Sequence, residues 1–167
     1  MAATPEQVNE LLRLAYQGNL RAQFNLGEVY HDLNDLPKAV YWHRKAAESG
    51  YADSQCAMGL CYYHGVSGLI IPDYCEAVRW YRLATNQNQR LAILNLATCF
   101  LKGAGVPTDY IEGYGLCNLV ANDFSSEHQP FCQKLLKQIE TYLNPSQVRA
   151  GKARSVEIER MIRSRVY

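Results

Sequence analysis

The chain has 167 residues, long enough to bury a core without disulfide or metal staples. Seventeen Lys and Arg stand against sixteen Asp and Glu, so bulk charge nominates no polyanionic partner. No apolar run reaches the ~20 residues of a bilayer span, and no basic-then-apolar leader opens the sequence, so a cytoplasmic setting without a membrane span is expected.

Charge is not spread evenly. From Gln129 onward eight basic residues face three acidic ones, whereas the preceding part carries nine against thirteen. The C-terminal end therefore presents a basic face. Of six cysteines (Cys56, Cys61, Cys75, Cys99, Cys117 and Cys132), Cys61 and Cys99 occupy the same place in successive repeats but Cys75 and Cys117 do not correspond, whereas a stapled repeat would place its pair in register each time. They read as reduced thiols packed as small hydrophobes.

Thr4-Pro5-Glu6-Gln7 opens the first helix with a hydroxyl cap, a proline at the first position and Gln three residues later. Val8, Leu11, Leu12 and Ala15 recur on one face, and Gly18 ends the helix. Gly18 to Gly50 then spells two short helices. The first carries Ala22, Leu26, Gly27 and Tyr30, and the second Ala39, Trp42 and Ala46 on one stripe. Small residues let the two backbones approach, with Trp42 and Tyr30 expected to fill the space beside them.

The pattern returns. Ser54, Gly59 and Tyr62 match Ala22, Gly27 and Tyr30, and Ala77, Trp80 and Ala84 match Ala39, Trp42 and Ala46. A third copy drifts, with Gly113 and Leu116 in place of Ala and Trp. Equivalent positions such as Gly27, Gly59 and Ala97 set a period that belongs to helical-hairpin repeats. Next, Asn122-Asp123-Phe124-Ser125 leads into a polar-capped helix with Phe131, Leu135, Leu136, Ile139 and Leu143 along one face. Asn144-Pro145-Ser146-Gln147 starts a last helix, in which Arg149, Lys152, Arg154, Arg160, Arg163 and Arg165 surround a thin apolar set of Val148, Val156, Ile158, Met161 and Ile162. Its polar outer face suits an end unit.

These motifs resemble the Sel-one-like repeat family, relatives of the tetratricopeptide repeat. The carrying residues are Ala22-x3-Leu26-Gly27-x2-Tyr30 and Lys38-Ala39-x2-Trp42-x3-Ala46-Ala47-x2-Gly50. Then come Gly59-x2-Tyr62-x2-Gly65-Val66, Asp73-Tyr74-x-Glu76-Ala77-x2-Trp80-Tyr81-x2-Ala84, and Gly103-x-Gly105-Val106-Pro107-x-Asp109-Tyr110. The resemblance implies an all-α fold, a right-handed α/α superhelical solenoid of helical-hairpin repeats with terminal capping helices. Organised as one repeat domain, it would comprise an N-terminal cap (1–17), repeats at 18–50, 51–87 and 88–123, and a C-terminal helical pair (124–167). The family implies a non-enzymatic scaffold, often bacterial, and has no shared catalytic residues to transfer.

The residues themselves nominate no chemistry. Cys61 and His64 share a helix face, but no CxxC or HxxxH completes a zinc set. Gly103-Ala104-Gly105 is followed by Val-Pro rather than a phosphate-binding lysine. No catalytic residue, metal or cofactor is expected. The C-terminal basic residues lack interleaved aromatics and read as a solvated face rather than a nucleic-acid or acidic-lipid site.

By similarity to tetratricopeptide repeats, the first helix of each hairpin lines a concave groove. That nominates Arg21, Phe24, Glu28, His31 and Asp32 from the first repeat. The second supplies Asp53, Cys56, Leu60, Tyr63 and His64, and the third Leu91, Leu94, Thr98, Leu101 and Lys102. The set grades from charged to aliphatic, so Leu91, Leu94 and Leu101 are expected to form an exposed apolar patch that needs a partner. A groove gripping another protein or a peptide segment is the functional expectation. The alternative is a dedicated inhibitor or immunity protein that neutralises one toxin or effector. Oligomeric state is left open, with a monomer favoured.

Overall fold

Helix-ending signals recur along this chain, and each marks a helix end in the structure, a computed structural model that describes residues 4–123 and 127–164. Phe124, Ser125 and Arg165 lie outside the described residues. The helices are α1 (Pro5–Tyr16), α2 (Leu20–Asp32), α3 (Leu36–Glu48), α4 (Ala52–His64), α5 (Tyr74–Thr85), α6 (Arg90–Lys102), α7 (Tyr110–Ala121), α8 (Gln129–Ile139) and α9 (Pro145–Arg163). Among the described residues the only extended pairing is an isolated bridge between Val66 and Ile70. The chain divides into two compact units, Met1–Asp73 and Tyr74–Tyr167.

One joint leads into each of the three repeats, and Asn34 and Gly103 close their helices in the same way. Gly18, Gly50 and Asn88 adopt φ of +89°, +94° and +63°. Each is followed by a residue whose N–H reaches back five positions: Asn19 to Leu14 O, Tyr51 to Ala46 O and Gln89 to Ala84 O, at 3.0–3.1 Å. This left-handed closure satisfies carbonyls that the helix end would otherwise orphan. Asparagine serves in the third copy because it tolerates that conformation better than most side chains. The residue after the joint then caps the next helix, with Asn19 accepting from Ala22 N–H and Gln89 from Ala92 N–H. Exit from one helix and entry to the next are thus a single turn.

In the first unit Ala15, Ala22, Leu26 and Trp42 form a buried cluster, backed by Val8, Leu11, Leu12, Leu14 and Tyr30. Both reciprocal caps read from sequence are present. Thr4 and Gln7 exchange bonds of 2.9 and 3.3 Å, and Asn144 and Gln147 at the start of α9 exchange two of 2.9 Å. Trp42 and Tyr30 pack with Ala22 and Leu26, and the group nearest Gly27 is a further one, the His43 ring. His43 follows Trp42 on α3, so its neighbour on the chain fills one gap and it fills the other.

A second repeated device was not anticipated. Gln23 is buried and its side-chain Nε2 donates to Ala15 O at 3.0 Å, while Gln55 does the same to Ala47 O at 3.2 Å. Each amide holds the C-terminal turn of the preceding helix, replacing water that the packing excludes. The shared spacing of Gln23 and Gln55 was the available signal; Ile93 holds the third position and drops the device.

In the second unit, α9 packs on α7 with only part of its thin apolar set, and with a glycine and an ion pair besides. Ile158 and Ile162 are buried, but Val156 and Met161 remain exposed. Close approach comes from Gly151, where a Cβ would meet the Tyr114 ring at 2.6 Å. Arg154, read from sequence as part of a solvated basic face, instead crosses to Glu112 in a two-bond pair at 2.6 and 3.2 Å. It also holds Glu157 at 2.9 Å.

All six cysteines are free, and Cys56, Cys99, Cys117 and Cys132 are buried. Burial pushes the Cys117 thiol up to about 12, with Cys132 adding to the rise, and pushes Cys99 and Cys132 up to about 11. Exposed Cys75 should therefore react first with a disulfide reagent in the native chain, and these buried thiols only on unfolding. Counting modified thiols with and without denaturant checks this; native labelling of Cys117 would contradict it.

Candidate functional site

The first unit contains a cleft of about 430 Å³ between α2, α3, α4 and the loop that follows α4. Its walls are Leu36, Ala39, Val40 and His43 from α3, and Ala57, Leu60 and Cys61 from α4. Gly65, Val66 and Ser67 close one side, and Glu28 and His31 on α2 form the polar edge. Two alanines on facing helices leave the space, because neither side chain extends past Cβ. Ile70, in the loop read as the most apolar of the chain, tucks in at 8% exposure, while Ile71 points out at 87%.

Polar chemistry in this cleft is concentrated on one pair. His43 is buried, and its Nε2 lies 3.3 Å from Glu28 Oε1, whose side chain is 57% exposed. The Nδ1 atom of His43 is buried without a hydrogen-bond partner. The ring donates from Nε2 to the carboxylate and lies against Gly27. The bond from His43 holds the Glu28 carboxyl below the usual carboxylate range, against burial, which raises it. A depressed folded pKa means that Glu28 adds stability at neutral pH that is lost as pH falls through the folded value. The urea midpoint of Glu28→Gln should therefore lie slightly below that of the native chain at pH 7, and the two should converge as pH falls below the folded value. A gap that persists or widens in acid would contradict this sign.

The structure sorts the nominated groove residues. Glu28, His31 and Leu60 meet in the cleft. Phe24 packs against Tyr51 at 5.5 Å, where Asp53 raises and Arg21 lowers the tyrosine's pKa, with burial the larger cause of its rise. Tyr63 and His64 form an edge contact at 4.9 Å. Asp32 is exposed, its carboxylate 3.9 Å from His31 Nδ1, and Lys102 is exposed as well.

Two nominations fail on burial. Cys56 is 2% exposed and Leu94 7%, so neither presents a side chain. The expected apolar patch is absent with them. Leu91 is half-buried, and Leu101 is half-buried where it covers Gly113. Thr98 turns its hydroxyl inward to donate to Leu94 O at 3.0 Å. In the third repeat these side chains are spent on packing.

Sequence reading overlooked His43, Ala57, Cys61 and Val66 as parts of the cleft. The first lies on the second helix of its hairpin, where a groove rule does not look. Among the described residues no three His, Cys, Asp or Glu side chains gather as a metal site would require. No described helix is long and apolar enough to cross a membrane.

A succession of helical hairpins in one register, joined by a repeated turn and ended by capped helices, defines a repeat protein of the all-α solenoid class. The chain belongs to the Sel1 repeat family, whose description matches residues 20–51, 52–89 and 90–119, that is α2–α3, α4–α5 and α6–α7. It is similar to the Sel1-repeat-containing protein YjcO of Escherichia coli K12, 28% identical over 78% of this chain and 56% of that protein. A sel1-like repeat-containing protein of Acanthamoeba polyphaga mimivirus is 34% identical over 57% of this chain and 17% of its own length. The chain thus spans from about a sixth to just over half of these curated relatives.

Two solved structures share the fold. A protective antigen of uropathogenic Escherichia coli with an SLR fold superposes with a TM-score of 0.85 at 27% identity, over 95% of this chain and 34% of that one. A Sel1 repeat protein from Oxalobacter formigenes gives 0.68 at 25% identity, over 78% and 97%. Sel1 repeat proteins generally mediate protein–protein interactions and are typically non-enzymatic scaffolds.

Proposed function

We propose that this chain is a non-enzymatic binding module that holds a segment of a partner protein against the first helices of its hairpins. The observation that carries the reading is the convergence of Glu28, His31 and Leu60, nominated from the repeat register alone, on one apolar cleft. A concave site with apolar walls and few polar groups suits a side chain presented by a partner. Six free thiols, most of them buried, fit action in a reducing compartment such as the cytoplasm.

The test is capture of the partner by the native chain and by a variant carrying His31→Ala, Asp32→Ala and His64→Ala. All three residues are exposed, so the variant should keep its fold, which circular dichroism verifies. Partner recovery should fall at least several-fold. Recovery equal to that of the native chain would remove the groove from the account.

A further inference from the structure

We propose that the cleft of the first unit takes an amphipathic cationic segment: an apolar side chain enters between α3 and α4, and an adjacent Lys or Arg meets Glu28. This rests on the segment-binding reading above and specifies the chemistry of the segment.

The argument starts from what the cleft lacks. Ala39, Val40, Ala57, Leu60 and Val66 surround a volume of about 430 Å³ with hydrocarbon. That volume falls among the roughly 300–1,000 Å³ pockets that engulf side chains or small ligands. At its edge Glu28 uses one oxygen on His43 and is 57% exposed, which leaves the other oxygen for an incoming donor. Two nearby cations are committed elsewhere: Lys38 pairs with Asp35 at 2.6 Å, and Lys45 lies over the rings of Tyr16, Tyr41 and Trp42 at 5.2–6.0 Å. The Arg44 charge reaches Cys61 on the cleft wall, and His43 and His31 reach Glu28.

The carboxylate that lines the cleft is that of Glu28, at the edge of an apolar interior. Such a site attracts a cation and repels an acidic segment, and the charge contributes to selection more than to affinity. The His43–Glu28 bond fixes where the carboxylate stands, so the cation is read at one place relative to the apolar walls.

The test uses the full chain, isotope-labelled for amide NMR, and three blocked octapeptides that alternate Leu with Lys, Leu with Glu, or Ala with Lys. The Leu/Lys peptide should shift the amides of Glu28, Ala57, Leu60 and Val66, and bind about tenfold more tightly than either of the others. Glu28→Gln should erase the preference for Lys over Glu while leaving the fold intact, because Glu28 is exposed. Ala57→Phe, which fills the cleft, should abolish the shifts.

Equal binding of the Leu/Lys and Leu/Glu peptides, shifts confined to other surfaces, or an unaffected Glu28→Gln variant would each overturn the proposal. So would tighter binding of hexanoate than of hexylammonium, which would mark a fatty-acid occupant. The two readings fail separately. A Leu/Lys peptide that misses the cleft, with partner capture still lost in the exposed-residue variant, removes this chemistry and leaves the binding module standing.

Discussion

Trp42→Ala should lower stability by about 3–5 kcal/mol, the range for removing a buried aromatic side chain that its surroundings cannot replace. Trp42 is 3% exposed and is the largest member of the cluster with Ala15, Ala22 and Leu26. Those neighbours are mostly alanines, too short to close over the space left behind. The lost ring also carries specific contacts: an edge contact from Tyr16 at 5.3 Å, another from Tyr41 at 5.0 Å, and the Lys45 ammonium at 5.2 Å. Chemical denaturation followed by circular dichroism measures the loss. Fluorescence of Trp80, the other tryptophan, then reports on the second unit alone. A variant as stable as the native chain would show that the cluster does not hold the first unit.

Gly27→Val should cost about 3 kcal/mol through overpacking. A side chain at Gly27 would place its first carbon 2.6 Å from both ring nitrogens of His43. The ring has little room to retreat, since it is bonded to Glu28 and packed against Phe24 at 5.5 Å. The decisive measurement is a double-mutant cycle with His43→Ala. Truncating the histidine removes the obstacle, so the two substitutions together should cost at least about 1 kcal/mol less than their sum. Additive losses would mean that Gly27 is required for a reason other than the ring above it.

Much of the architecture was readable because it rests on periodic signals. Gly18, Gly50 and Asn88 punctuate the chain at the same joint, and the capping pairs Thr4–Gln7 and Asn144–Gln147 act over three residues. Such features depend on local backbone geometry, which neighbouring residues determine. The groove was readable only in part. Of the residues that register nominated, Glu28, His31 and Leu60 line one cleft, whereas Cys56 and Leu94 are buried. A register rule states which way a helix position points, but not whether another helix already stands there.

The sequence by itself determined the hairpin repeats, their joints and their capped ends, since each follows from residues close together along the chain. The tertiary structure alone decided that His43 covers Gly27, that Arg154 leaves a basic face to hold Glu112, and that facing alanines at 39 and 57 leave a cleft open. Those outcomes depend on side chains from different helices competing for one volume. Linear spacing carries the face a residue occupies, not what arrives opposite it.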